Sequence, residues 1–200
     1  MKTATIAAAL GIVLAGCFNE PEPASKTVPE GTRVYLQDRG LENLSSSADA
    51  LKEGEKIDYL NLDRNKLKEF PPEIARLSGL KWLRLNRNSL SKLPDLSALV
   101  NLRRIYLREN RFESVPETLK DLPALTDVDL SGNPIRSVPD WLAAKKGLEG
   151  LSFNGTLIEK LPDDISAWKS LKQLQLGELR LSSNEMERVR KALPATAVVF

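Results

Sequence analysis

The sequence predicts an α/β fold: a right-handed solenoid with a curved parallel sheet on its concave face. It has about six repeats, a degenerate N-terminal repeat and a C-terminal helix-strand cap. Three observations predict it. Apolar lines beginning at Ile57, Leu80, Leu102, Leu125, Leu148 and Leu171 recur every 22 or 23 residues. Asn keeps one phase of that period, at Asn65, Asn88, Asn110 and Asn133. Pro keeps another, at Pro71, Pro94, Pro116, Pro139 and Pro162, so that five of the twelve prolines follow a single rhythm.

Composition narrows the function. The 200 residues are 42% hydrophobic and 28% charged, the mixture of an ordinary globular chain. There is no His and one Cys, which excludes Ser-His-Asp and Cys-His nucleophile pairs, His-based metal sites, internal disulfides and Cys-rich zinc sites. The 29 basic and 27 acidic residues leave a net charge of +2, too small to supply a whole-molecule field for nucleic acid. No cofactor, no metal and no nucleic-acid partner are expected, and the chain is read as a monomer without catalytic activity.

The chain opens with Met1-Lys2-Thr3 and an apolar run to Gly16 broken only by Thr5. Such a run has the proportions of a secretory signal and is too short for a spanning helix. Leu14-Ala15-Gly16-Cys17 resembles the lipobox of bacterial lipoproteins. The resemblance implies a signal peptide over residues 1–16, cleavage before Cys17, and acylation of Cys17 with two or three chains, enough to hold a soluble domain on a membrane. Residues 17–30, with three prolines and three glutamates, have little to bury and read as a solvated tether. No Asp follows Cys17, which favours the outer over the inner membrane of a bacterial envelope.

Residues 31–181 hold the repeats. Val34-Tyr35-Leu36, with Leu41 and Leu44, forms a longer opening repeat in which Arg39 replaces the Asn. In the regular repeats an alternation such as Leu83-Arg84-Leu85 is a short strand with two inward side chains. Seven such strands at about 4.8 Å spacing would span roughly 29 Å. The Asn side chain is placed to satisfy backbone groups in the turn after the strand, each Asn forming one rung of a ladder. Thr156 and Leu179 replace it in the last two repeats. Each Pro prevents a full helix on the return path, leaving extended segments and single turns. Residues 182–200 form the cap: Met186, Val189 and Leu193 share one helical face, and Ala197 to Phe200 reads as a closing strand.

The repeated lines, the Asn and the Leu-Pro step together resemble the 23-residue form of the leucine-rich repeat family, over roughly residues 31 to 193. The resemblance implies ligand binding, most often of proteins, on the concave strand face. The variable positions beside the strand leucines hold all three tyrosines and one tryptophan: Tyr35, Tyr59, Trp82 and Tyr106. Arg84, Arg87, Arg104, Arg108 and Arg111 surround them, and the whole group is read as solvent-facing. Aromatic residues and Arg are the types enriched at binding hot spots. The patch occupies the first half of the stack, whereas Asp127, Asp129, Ser152 and Gln175 occupy the second. The expected partner is a protein or peptide, in particular an acidic or extended segment. Stacking of the rings on a glycan or envelope polymer is the alternative. Asp63, Asp127 and Asp129 are read as a rim rather than as calcium ligands, because no loop alternates acids around a turn glycine. Trp141 and Trp168 lie in the return segments and are read as packing residues.

Overall fold

The computed structural model describes residues 31–200; Cys17 and the segments assigned to signal and tether lie outside the described residues. Eight strands form one parallel sheet in chain order: β1 (Thr32–Tyr35), β2 (Ile57–Asn61), β3 (Trp82–Arg84), β4 (Arg104–Tyr106), β5 (Asp127–Asp129), β6 (Gly150–Ser152), β7 (Gln173–Gln175) and β8 (Ala197–Val199). The solenoid fold predicted from the repeat period is the one found, and the closing strand of the cap adds the eighth strand.

Register follows the repeat without slippage after β1. Leu60 pairs with Leu83, Leu83 with Ile105, Ile105 with Val128, and so on to Leu174 with Val198. Every one of these central residues between Leu60 and Leu174 points into the core and is fully buried. The ladder continues past the strand ends, where the Leu62 amide donates to Arg84 O and the Leu85 amide to Tyr106 O. No repeat completes a core by itself, because each layer of leucines is covered by the layers on either side.

The return path shows why proline keeps its phase. Pro71, Pro116 and Pro139 sit immediately before a turn of helix, with φ of −64°, −62° and −72° and extended ψ. A ring that fixes φ near −65° and lacks an N–H suits a position where no intrahelical donor is needed. The helical segment after each of these prolines is short: 3₁₀ turns at Pro72–Arg76 and Glu117–Leu119, and one α-helix, α1 (Asp140–Ala144). Trp168 is completely buried and its indole N–H donates to Leu142 O at 2.9 Å, while Trp141 is half-buried and bonds Glu117 Oε1.

The asparagines satisfy the turn. Asn110 Nδ2 donates to Leu85 O and Leu107 O at 2.9 and 3.0 Å, and its Oδ1 accepts the Leu90 amide at 3.0 Å. Asn65, Asn88 and Asn133 repeat the pattern, each tying its own turn to the preceding one. Thr156, which follows Asn133 in phase, carries a buried hydroxyl with no hydrogen-bond partner. A shorter side chain cannot span the gap that the amide bridges.

The cap takes over where the asparagines stop. Helix α2 (Ser183–Ala192) is capped by Ser182 Oγ, which accepts the Glu185 amide. Glu185 Oε1 accepts the Leu161 amide, and Arg188 donates to both Glu185 and the Pro162 and Asp163 carbonyls. The Arg188 guanidinium holds the Glu185 carboxyl below the usual carboxylate range.

Candidate functional site

Side chains flanking the buried strand centres face the concave side in two columns. The first column reads Arg33, Tyr59, Trp82, Arg104, Asp127, Gly150 and Gln173; the second reads Tyr35, Asn61, Arg84, Tyr106, Asp129, Ser152 and Gln175. The aromatics leave the second column at Tyr35, occupy the first at Tyr59 and Trp82 and return to the second at Tyr106, so they form a bowed row across four strands. Ring centroids are 5.3 Å apart between Tyr35 and Tyr59, 5.3 Å between Tyr59 and Trp82, and 5.9 Å between Trp82 and Tyr106. The last two pairs are edge-on, the arrangement ring quadrupoles prefer.

Each arginine in these columns lies over the ring directly opposite it on the adjacent strand. Arg33 is 5.9 Å from the Tyr59 centroid, Arg84 is 5.5 Å from Tyr106, and Arg104 is 4.8 Å from Trp82. These are register partners, so the sheet itself imposes the three cation–π contacts. The same contacts correct the expectation that the whole group faces solvent. Tyr59 and Tyr106 are covered, only 5% and 4% exposed, whereas Tyr35 is 40% exposed and Trp82 is half-buried. Burial also raises the pKa of the Tyr59 hydroxyl.

The arginines are paired with carboxylates as well. Arg84 reaches Asp63 at 2.7 Å, Arg104 reaches Asp127 at 3.4 Å, and Arg87 and Arg108 both reach Glu109 at 2.8 Å. Arg87 stands on the turn beside the sheet and not in either column, and Arg111 is exposed beyond it. Asp63 and Asp129 form no rim, because both are buried. Asp63 Oδ1 accepts the Asn86 amide at 2.7 Å, and Asn86 Oδ1 accepts the Arg108 amide at 2.9 Å. Asn154 Oδ1 accepts the Gly177 amide in the same way. Residues just after the strand thus build a second ladder, which the sequence hints at only through Asp and Asn recurring in one column.

One position further along each turn lies a second feature that sequence reasoning misses. Asp38, Arg64, Arg87, Glu109, Gly132, Gly155 and Glu178 all have φ between 53° and 67°. Only the two glycines signal a left-handed position.

In the second half of the concave face, Asp129 Oδ1 accepts the Ser131 amide, and Ser131 Oγ lies 2.6 Å from Ser152 Oγ. Burial raises the Asp129 carboxyl above the usual range, against the pull of Ser131, Arg108 and Arg84. Gly150 presents no side chain at all. The second half of the face is thus polar and without rings, whereas in the first half Tyr35 and Trp82 remain accessible beside the covered Tyr59 and Tyr106.

A family model described as leucine rich repeat matches residues 55–112 and 78–135. The fold is a leucine-rich repeat solenoid. It resembles a leucine-rich repeat protein of Leptospira interrogans with a TM-score of 0.70 and 28% identity, over 84% of this chain and 48% of that one. An internalin of Listeria monocytogenes shares the fold with a TM-score of 0.62 and 19% identity, over 72% of this chain and 41% of that one. The Caenorhabditis elegans protein flightless-1 homolog is 39% identical over 75 residues, which are 36% of this chain and 6% of the relative. The chain thus spans less than half the length of each. Leucine-rich repeat proteins are in general non-enzymatic scaffolds, and no enzyme family is indicated. Among the described residues no helix is long and apolar enough to cross a membrane.

Proposed function

We propose that the protein is a lipid-anchored envelope protein whose leucine-rich repeat domain binds a partner protein on the concave face of β1–β4. The observation that carries the binding surface is the continuous row Tyr35-Tyr59-Trp82-Tyr106 with an arginine over three of its rings. Rings fixed by neighbouring rings and guanidiniums lose little entropy when a partner arrives, which is what makes such groups effective anchors. The polar strands β5–β7 lack rings and fit a flanking role.

A glycan would need open ring faces. Tyr59 and Tyr106 are too deeply covered to offer them, which favours a protein over a sugar polymer. The anchor rests on Cys17 and the residues before it, and on the amount of lipid needed for firm attachment.

Two sets of variants test the surface and the anchor separately. Tyr35→Ala combined with Trp82→Ala should remove a protein that co-purifies with the wild type while leaving the melting temperature within a few degrees; unchanged co-purification would reject the surface. Cys17→Ser should move the protein from the detergent-rich to the aqueous phase, and unaltered partitioning would reject the anchor.

A further inference from the structure

We infer that the segment captured by β1–β4 is uncharged and presents apolar or aromatic side chains, and is not an acidic peptide. The inference rests on the proposed concave-face binding and specifies its partner. A row of arginines invites the opposite conclusion, so the charge of each must be followed to its neighbour. The carboxylates of Asp63, Glu109 and Asp127 already lie 2.7 to 3.4 Å from four guanidiniums. Asp129 is buried within electrostatic reach of Arg84 and Arg108. Arg84 is held by both Nε and Nη2 on one carboxylate oxygen, at 2.8 and 2.7 Å. An incoming carboxylate would have to displace these partners or approach them against like charge. Either way it gains little.

The same arrangement makes the surface effectively apolar. A guanidinium is planar and weakly hydrated, and Arg33, Arg84 and Arg104 lie over ring faces. Carboxylates meet the charge of Arg84 and Arg104, and the flat surfaces of all three extend the aromatic track. Around the sunken Tyr59, the rings of Tyr35 and Trp82 lie on the two neighbouring strands, each 5.3 Å from its centroid. Trp82 Nε1 is buried without a hydrogen-bond partner, so the indole meets a ligand through carbon. A segment bearing Leu, Phe, Tyr or Pro matches these groups, and charge on the segment adds nothing.

The test uses the full chain and two pools of labelled synthetic peptides of about 12 residues. One pool is neutral and rich in Leu, Phe, Tyr and Pro; the other replaces about a third of its positions with Asp and Glu. Binding is read by fluorescence anisotropy. The neutral pool should yield binders whose affinity changes by less than about twofold between roughly 50 and 500 mM NaCl. That affinity should fall by about tenfold or more in Tyr35→Ala and in Trp82→Ala, the loss expected for a hot-spot ring. Tyr35 is the more exposed of the two and serves as the control against misfolding. Acidic binders lost at high salt, and sensitive to Tyr35→Ala, would overturn the inference and leave the concave-face reading standing. Binding by neither pool, or binding indifferent to both substitutions, would overturn both.

Discussion

Arg84 donates through Nε to Asp63 Oδ2 at 2.8 Å while its guanidinium carbon lies 5.5 Å from the Tyr106 ring centroid. One buried carboxylate on the turn after β2 therefore fixes an arginine on β3 over a tyrosine on β4. Three consecutive repeats are coupled through a single side chain.

Asp63→Asn keeps an acceptor for the Asn86 amide but discharges the partner of Arg84. The variant should lose about 1 to 3 kcal/mol of stability by chemical denaturation. It should also gain weak, salt-sensitive binding of acidic peptides, because Arg84 is released. Full stability would mean that Asp63 does not hold the arginine in solution.

Asn110 sits in the middle of the ladder, with the Leu85 and Leu107 carbonyls and the Leu90 amide depending on it. Asn110→Ala leaves these buried groups unpaired and should cost about 1 to 3 kcal/mol. Urea unfolding of the two proteins side by side measures it; coincident curves would contradict the assignment of the ladder.

The repeats and their caps are legible in the sequence because each position recurs, so Leu83, Asn88 and Pro94 are identified by their counterparts rather than by propensity. The site is legible as a composition and not as a geometry. Tyr35 and Tyr106 occupy the same column, yet one is exposed and the other covered, because Tyr35 stands on the edge strand β1 whereas Tyr106 lies between β3 and β5 with Trp82 and Arg84 against its ring. Likewise Arg87 and Glu109 give no sign of left-handed backbone on their own; their conformation is imposed by the turn, whose amides donate to the next repeat at Arg108 O and Ser131 O. Contacts between repeats decide such features, and a single line of sequence does not carry them.

The left-handed turn yields a pair of opposite substitutions. Glu178 has φ 64° and Gly132 has φ 67°. Glu178→Gly relieves a conformation costing about 1 kcal/mol and should raise the melting temperature. Gly132→Ala imposes that strain and brings a Cβ to 3.0 Å from Glu109 Cγ, so it should lower it. Shifts of the same sign in both variants would contradict the turn geometry.

Two carboxyls should respond to pH in opposite senses. Glu185 is held below its ordinary pKa, first by Arg188, so its contribution is present above about pH 4.3 and is lost as pH falls through its lowered value. Asp129 is raised by burial, so its folded form is penalised once pH climbs past the ordinary carboxylate value of about 3.9. Glu185→Gln should therefore flatten the acid limb of the stability profile. Asp129→Asn should be as stable as the wild type or more so at neutral pH, with the advantage vanishing in acid. A loss on Asp129→Asn at neutral pH that persists in acid would show that its hydrogen bonds outweigh its burial.

Whether partners are met by the concave face of β1–β4 is tested most directly by crosslinking in intact cells. A photoreactive residue is placed at position 82 in the full chain, and in parallel at the exposed Val100 on the return path, before irradiation. The expected result is a discrete protein adduct from position 82 that is absent from position 100 and disappears when Tyr35→Ala is added. Equal adducts from both positions, or none from position 82, would contradict binding on this face.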